Sequence, residues 1–184
     1  MPRRRLAVAL LLEGELAIEV DGLRRGLGAD RHHVAPHLTL VAPVNVHEDA
    51  LPAALAALQS AAAAVAPFDL DIGPAATFDP GSPVAYLAVR GALDALGRLR
   101  DAVRVAPLDR RTDHEFVPHV TIGEGLAPER IAAVREALAD FDAPWPVRSV
   151  TLLEDRAPGP RRWNPIAEAR LGDGRRPWEQ RAQA

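Results

Sequence analysis

The sequence predicts an α+β fold: a bilobed molecule made from one strand-helix-strand-helix-strand unit used twice, with mainly antiparallel sheets lining a central cleft. Three observations predict it. Strand-like and helix-like periods alternate in that order in each half of the 184-residue chain. Landmarks recur at a steady offset. Leu6 and Ala85, Asp49 and Pro128, and Phe68 and Val147 each lie 79 residues apart, and His37 and His119 lie 82 apart. A steady offset is the mark of a duplicated unit. Finally, the frame Pro-His-apolar-Thr-apolar occurs twice, as Pro36-His37-Leu38-Thr39-Leu40 and as Pro118-His119-Val120-Thr121-Ile122.

Each element follows from local pattern. Residues 4–12 form an apolar run that reads as a buried strand. Its basic start imitates a signal peptide, but Glu13 and Glu15 stand where a small-residue cleavage site belongs. Leu16, Val20, Leu23 and Leu27 are spaced 4, 3 and 4, the helical period, although Gly14, Gly22 and Gly26 weaken a helix there. The first motif occupies a strand at about 35–42, followed by a loop from Pro43 to Glu48. A helix over 49–65 carries Leu51, Leu55, Leu58 and Val65, with Pro52 tolerated in its first turn. Residues 68–72 alternate strictly, as a half-buried strand does. Pro74 to Pro83 reads as a turn region enclosing a short Thr77-Phe78 segment.

The second half begins with a β-branched, apolar strand over 84–90. A helix over 92–104 places Leu93, Leu96, Leu99 and Val103 on one face. A charged loop, Asp109 to Glu115, leads to the second motif strand at about 116–122. Pro128 opens a helix with Ile131, Val134 and Leu138. Residues 147–153 are a strand, 156–165 a Pro/Gly/Arg loop, and 166–171 a last short strand. Residues 1–172 therefore read as a single bilobed domain, with lobes at about 1–78 and 79–172. Exchange of strands between the lobes is left open. Residues 173–184 read as a mobile tail.

The repeated frame carries the chemistry. Along a strand, residues i and i+2 share a face. His37 and Thr39 therefore face one way while Leu38 and Leu40 anchor the strand from behind, and His119 and Thr121 repeat this against Val120 and Ile122. Six His and five Thr placed at random in this length would give roughly 0.16 His-x-Thr pairs, so two in a matched frame are not a coincidence of composition. Histidine titrates near neutral pH. Two imidazoles across a cleft suit in-line displacement at phosphorus, one taking a proton from water and one giving a proton to the leaving oxygen. Thr39 and Thr121 can donate to the non-bridging oxygens as charge builds there. The pattern does not say which His is acid and which is base, nor whether a 2′- or 3′-phosphate results.

These residues resemble the 2H phosphoesterase superfamily, defined by two His-x-Thr-x motifs, and within it the 2′-5′ RNA ligase and 2′,3′-cyclic phosphodiesterase group. The resemblance spans roughly Arg4 to Leu171 and is specific at the motifs. It implies a bilobed α/β build, catalytic His37, Thr39, His119 and Thr121, and no cofactor. It also implies a hydrolase that opens cyclic phosphates of RNA ends or small nucleotides, with reverse 2′-5′ ligation as the back reaction. Phe78 and Tyr86 are candidates for stacking on a base, against core packing as the alternative for both. His114 is a candidate substrate contact. His32 and His33 read as solvated, His47 as either a cleft-mouth or a helix-entry residue, and Arg161-Arg162-Trp163 as a candidate rim.

Composition bounds the rest. With no cysteine there are no disulfides or thiolate metal sites, which fits a reducing cytoplasm. No apolar run reaches the length of about 20 residues that spans a bilayer. A net charge of −3 and a pI near 6.1 do not suit a grip on a long duplex. Arg pairs at 110–111 and 161–162 suit a few phosphates. The expectation is a monomer with no metal and no protein partner. Two rivals remain: a non-catalytic nucleotide or RNA-end binder, which has no need of two titrating groups, and a zinc hydrolase. Zinc would need His37, His119 and a third ligand, whereas the motif puts a hydroxyl beside each imidazole.

Overall fold

The computed structural model describes residues 2–28, 34–78, 82–110, 115–156 and 163–172. Its elements run β1 (Arg3–Leu11), α1 (Gly14–Gly26), β2 (His37–His47), α2 (Leu51–Ala64), β3 (Phe68–Phe78), β4 (Ser82–Gly91), α3 (Leu93–Val103), β5 (His119–Glu124), α4 (Pro128–Ala137), β6 (Ala143–Val147), β7 (Ser149–Asp155) and β8 (Trp163–Arg170). The chain is α+β, and every strand pair among the described residues is antiparallel. One four-stranded sheet has the order β2-β1-β7-β8 and the other β5-β4-β3-β6.

The two orders are the same plan twice. Each sheet has a motif strand at its edge, the opening strand of that half beside it, and then a strand from the other half. β3 leaves the first half to pair with β4, Leu70 opposite Gly91. β7 leaves the second half to pair with β1, Thr151 opposite Ala9. One apolar core serves both sheets: Leu6, Val8 and Leu10 of β1, Leu87 and Val89 of β4, Leu70 and Ile72 of β3 and Leu152 of β7 belong to a single buried cluster. α2 packs on β7, β8 and α3, and α4 on β3 and β4, while α1 reaches β5 and α3 reaches β2. The first helix of each half thus leans on the motif strand of the other half.

Several boundaries differ from the sequence expectation, each for a local reason. Pro74 opens no turn. β3 continues through it because the register with β4 shifts between Ile72 and Ala75, and a bulge absorbs the proline. Gly73 takes φ of 113°, a left-handed value that glycine adopts without penalty. The expected loop at 43–48 is largely strand, since β2 runs to His47 with Pro43 lying in another register shift, between Val41 and Val44. The second motif strand begins at His119 and not at 116, and the last strand begins at Trp163. The expected strand over 147–153 divides into the end of β6 and most of β7, separated at Arg148. His32, His33, Arg111, His114, Arg161, Arg162 and residues 173–184 lie outside the described residues.

Candidate active site

β2 and β5 are edge strands of their sheets, and these two edges approach each other. Within each, alternation sets the faces. Leu38 and Leu40 are 1% and 2% exposed and Val120 and Ile122 are fully buried, while His37, Thr39, His119 and Thr121 are half-buried. The matched frame therefore produces two matched surfaces. On the first sheet, Ala9 lies opposite Thr39 and Leu11 opposite His37; on the second, Tyr86 lies opposite Thr121 and Ala88 opposite His119. Directly after each Thr pair the ladder slips by one residue, passing over Leu40 in β2 and Ile122 in β5. A bulge adds twist and re-aims the side chains beside it, and it falls at the same place in both copies.

The two rings are held alike. Nδ1 of His37 bonds the Ala35 carbonyl at 2.8 Å, and Nδ1 of His119 bonds the Val117 carbonyl at 2.7 Å. A carbonyl only accepts, so Nδ1 carries the hydrogen in each ring. In the neutral form the lone pair then sits on Nε2. Each imidazole is oriented by its own backbone, in the tautomer whose proton-accepting nitrogen is Nε2.

The walls differ between the sheets. Around His119 stands an aromatic cluster: Phe78 at 5.0 Å and 87°, Tyr86 at 5.4 Å and 62°, with Phe78 and Tyr86 4.3 Å from each other. Tyr86 is 8% exposed, and Phe78 is the more open ring of the two. On the sheet of His37 the same face carries small residues, Ala7 and Ala9, which cluster with Leu153, Leu11, Val34 and Trp163. Arg110 donates to the Pro43 carbonyl of β2, and Arg100 stacks 4.1 Å over Phe116, just ahead of the second motif. His47 closes β2. At about 3.3 Å per residue that puts it roughly 30 Å along the strand from His37, away from the paired motifs.

Sequence reasoning missed Arg24. It is 1% exposed, and its guanidinium donates through Nε to the Thr121 carbonyl at 3.0 Å and through Nη1 to the Val34 carbonyl at 3.1 Å. Burial lowers its pKa, and Asp21 and Glu124 oppose that from a distance. The signal was present. Arg24 stands one turn after Val20, next to the stripe of Leu16, Val20, Leu23 and Leu27, where an apolar residue belongs. Among the described residues, no three His, Asp or Glu side chains converge as a metal site would require.

Comparison with known proteins extends this picture. The family described as the 2′-5′ RNA ligase superfamily matches residues 12–159. A protein of Bacillus cereus with the provisional name phosphoesterase is 27% identical over 172 residues, covering 92% of this chain and 98% of that one. A similarly named protein of Halalkalibacterium halodurans is 31% identical over 105 residues, covering 56% of this chain and 61% of that one. Among solved structures, Escherichia coli LigT complexed with 3′-AMP superposes with a TM-score of 0.64 at 21% identity, covering 92% of this chain and 99% of that one. A protein of Thermus thermophilus gives 0.62 at 20%, covering 91% and 98%. At these identities the structures establish the shared fold.

Proposed function

Because the chain belongs to the 2′-5′ RNA ligase superfamily, we propose that it is a metal-independent phosphodiesterase that opens 2′,3′-cyclic phosphates of RNA ends or small nucleotides. Residues 1–172 serve as the one catalytic unit. The observation that carries this reading is the matched pair: two edge strands, each with a half-buried His and Thr on one face, and each ring anchored through Nδ1 to a carbonyl two residues upstream. The match to the 2′-5′ RNA ligase superfamily and the relatives named as phosphoesterases support its coarser part, a phosphoesterase. LigT has been crystallised with 3′-AMP, ATP and NADP+, which supports a small nucleotide as the ligand class.

In this reading the cyclic phosphate sits between His37 and His119. One neutral ring accepts a proton from water at Nε2 as the water oxygen bonds to phosphorus. The other, protonated ring donates from Nε2 to O2′ or O3′ as that P–O bond breaks. The products are a phosphomonoester and a free hydroxyl, and the two rings have exchanged protonation states. Thr39 and Thr121 hold the non-bridging oxygens, which gain charge in the transition state. A 5′-hydroxyl attacking in place of water, with O3′ leaving, makes a 2′-5′ linkage by the same transfers. Phe78 offers its more open face to a base, and Tyr86 backs it and His119.

The test is a panel of 2′,3′-cyclic nucleotides, oligonucleotides with cyclic ends and 2′-5′-linked dinucleotides, assayed with EDTA present throughout. Turnover of a cyclic phosphate, unchanged by the chelator, is expected. Activity that vanishes in EDTA and returns with zinc would replace this mechanism with a metal-dependent one. Stoichiometric binding of the same nucleotides without turnover would make the protein a binder.

A further inference from the structure

We propose that Arg24 is a positioning residue that holds the two His-Thr motifs at a fixed separation; this rests on the function proposed above. Its two hydrogen bonds end on the two halves of the site. Nη1 holds the Val34 carbonyl, and the next carbonyl along, that of Ala35, is the one that orients His37. Nε holds the carbonyl of Thr121, two residues beyond His119 in β5. The guanidinium is a rigid planar fork, so the two carbonyls cannot separate without breaking one of these bonds.

The fold alone does not demand a cation here. An offset of 79 residues places Val103 of α3 at the position equivalent to Arg24, and Val103 is fully buried. An apolar side chain therefore suits the site of this residue in the other copy. Burying a cation is unfavourable unless hydrogen bonds compensate it, and both hydrogen bonds that offset the cost go to the motif segments. A simple cap for the open edge of β5 would need only the bond to Thr121. The second bond couples that edge to the approach to His37. Placement errors of an ångström between reacting groups cost rate far more than they cost binding.

Three variants test this. Arg24→Lys keeps the charge but reaches one carbonyl at a time. Arg24→Met fills the space and reaches neither. Arg25→Met, on the exposed face of the same helix, is the control. With 2′,3′-cyclic AMP, both Arg24 variants are expected to lose roughly 10–100-fold in kcat while KM stays within about threefold, with Arg25→Met like wild type. A second readout needs no turnover. In NMR spectra of the histidine rings, inorganic phosphate is expected to move both His37 and His119 with one affinity in wild type, and with two different affinities in the Arg24 variants. A folded Arg24→Met protein with wild-type kcat, a loss confined to KM, or ring signals still moving with one affinity would overturn the proposal. If the Met variant does not fold, Arg24→Lys decides by the same criteria. A wild-type enzyme inactive on every cyclic ester would count against the substrate, and the ring signals alone would then judge Arg24.

Discussion

Each imidazole commits its Nδ1 hydrogen to a carbonyl on its own approach segment, so the two histidines are set up identically and differ only in what surrounds them. Replacing either His37 or His119 by Ala is expected to cost on the order of 10²–10⁴-fold in rate, the usual loss of one proton-transfer partner. Replacing both should cost less than the product of the single losses, because the pair acts as a unit. Steady-state kinetics on the three variants check this. Thr39→Ala and Thr121→Ala should each cost less than a His variant, since one donor is lost from a phosphate that others still hold. The wild-type rate should be bell-shaped in pH, because the proposed mechanism needs one ring neutral and one protonated, with one limb missing in each single His variant. The four motif residues were legible because a strand's period of two is visible in five letters. Arg24 was not assigned because reading it requires knowing that α1 leans on β5, a contact about a hundred residues away along the chain. The aromatic neighbours of His119 were named from composition, but only the register of β3 on β4 puts Phe78 and Tyr86 together.

At the scale of elements, the long amphipathic helices and the alternating strands were readable, and most of the misjudged places involve proline. Pro74 looked like a turn, yet β3 passes through it, helped by Gly73 and by Arg90, whose Nε donates to the Gly73 carbonyl at 2.9 Å. β6 holds Pro144 and Pro146 opposite Asp71 and Asp69 of β3. An edge strand can carry prolines at alternate positions because the missing N–H groups face away from the ladder. Sequence alone does not reveal that a strand will sit at an edge. The bulge in β3 gives a sharp test. At Gly73 a Cβ would overlap the Phe141 carbonyl, in a backbone conformation that other residues rarely adopt. Gly73→Ala is expected to destabilise the protein by about 2 kcal/mol or more, read from chemical denaturation, whereas Gly97→Ala, in a helix with open space around it, should be neutral or stabilising.

Over the whole molecule, the duplicated order was legible from the offsets, but which sheet each third strand joins was not. The strands that cross between halves are indistinguishable by pattern from strands that stay. Where β7 joins β1, Glu154 is 7% exposed and accepts from Arg4 Nε at 2.5 Å and Arg156 Nε at 3.2 Å. The hydrogen bond from Arg4 is the main reason its pKa lies below the usual carboxylate value. A carboxylate depressed in the folded state stabilises the fold above its unfolded pKa of about 4.3 and loses that contribution as pH falls through the folded value. Wild type is therefore expected to lose its thermal midpoint more steeply than Glu154→Gln as pH drops below about 4.5, while near neutrality the variant is the less stable. Parallel pH profiles of the two melting curves would show that this ion pair does not help hold β7 against β1.

The exchange of strands also has a consequence for how the chain is made. β1 and β2 leave the ribosome first, yet Ala9 must wait for Thr151, about 140 residues later, before its sheet is complete. At about 5–20 residues per second that is a delay of roughly 7–28 s. Through that interval β1 and β2 form a nascent hairpin whose β1 edge lacks its neighbour, and the strand that bears His37 is synthesised long before β5, which bears His119. The two halves of the site are thus obligate co-products of a finished chain: neither repeat can be released from synthesis as a working half-enzyme.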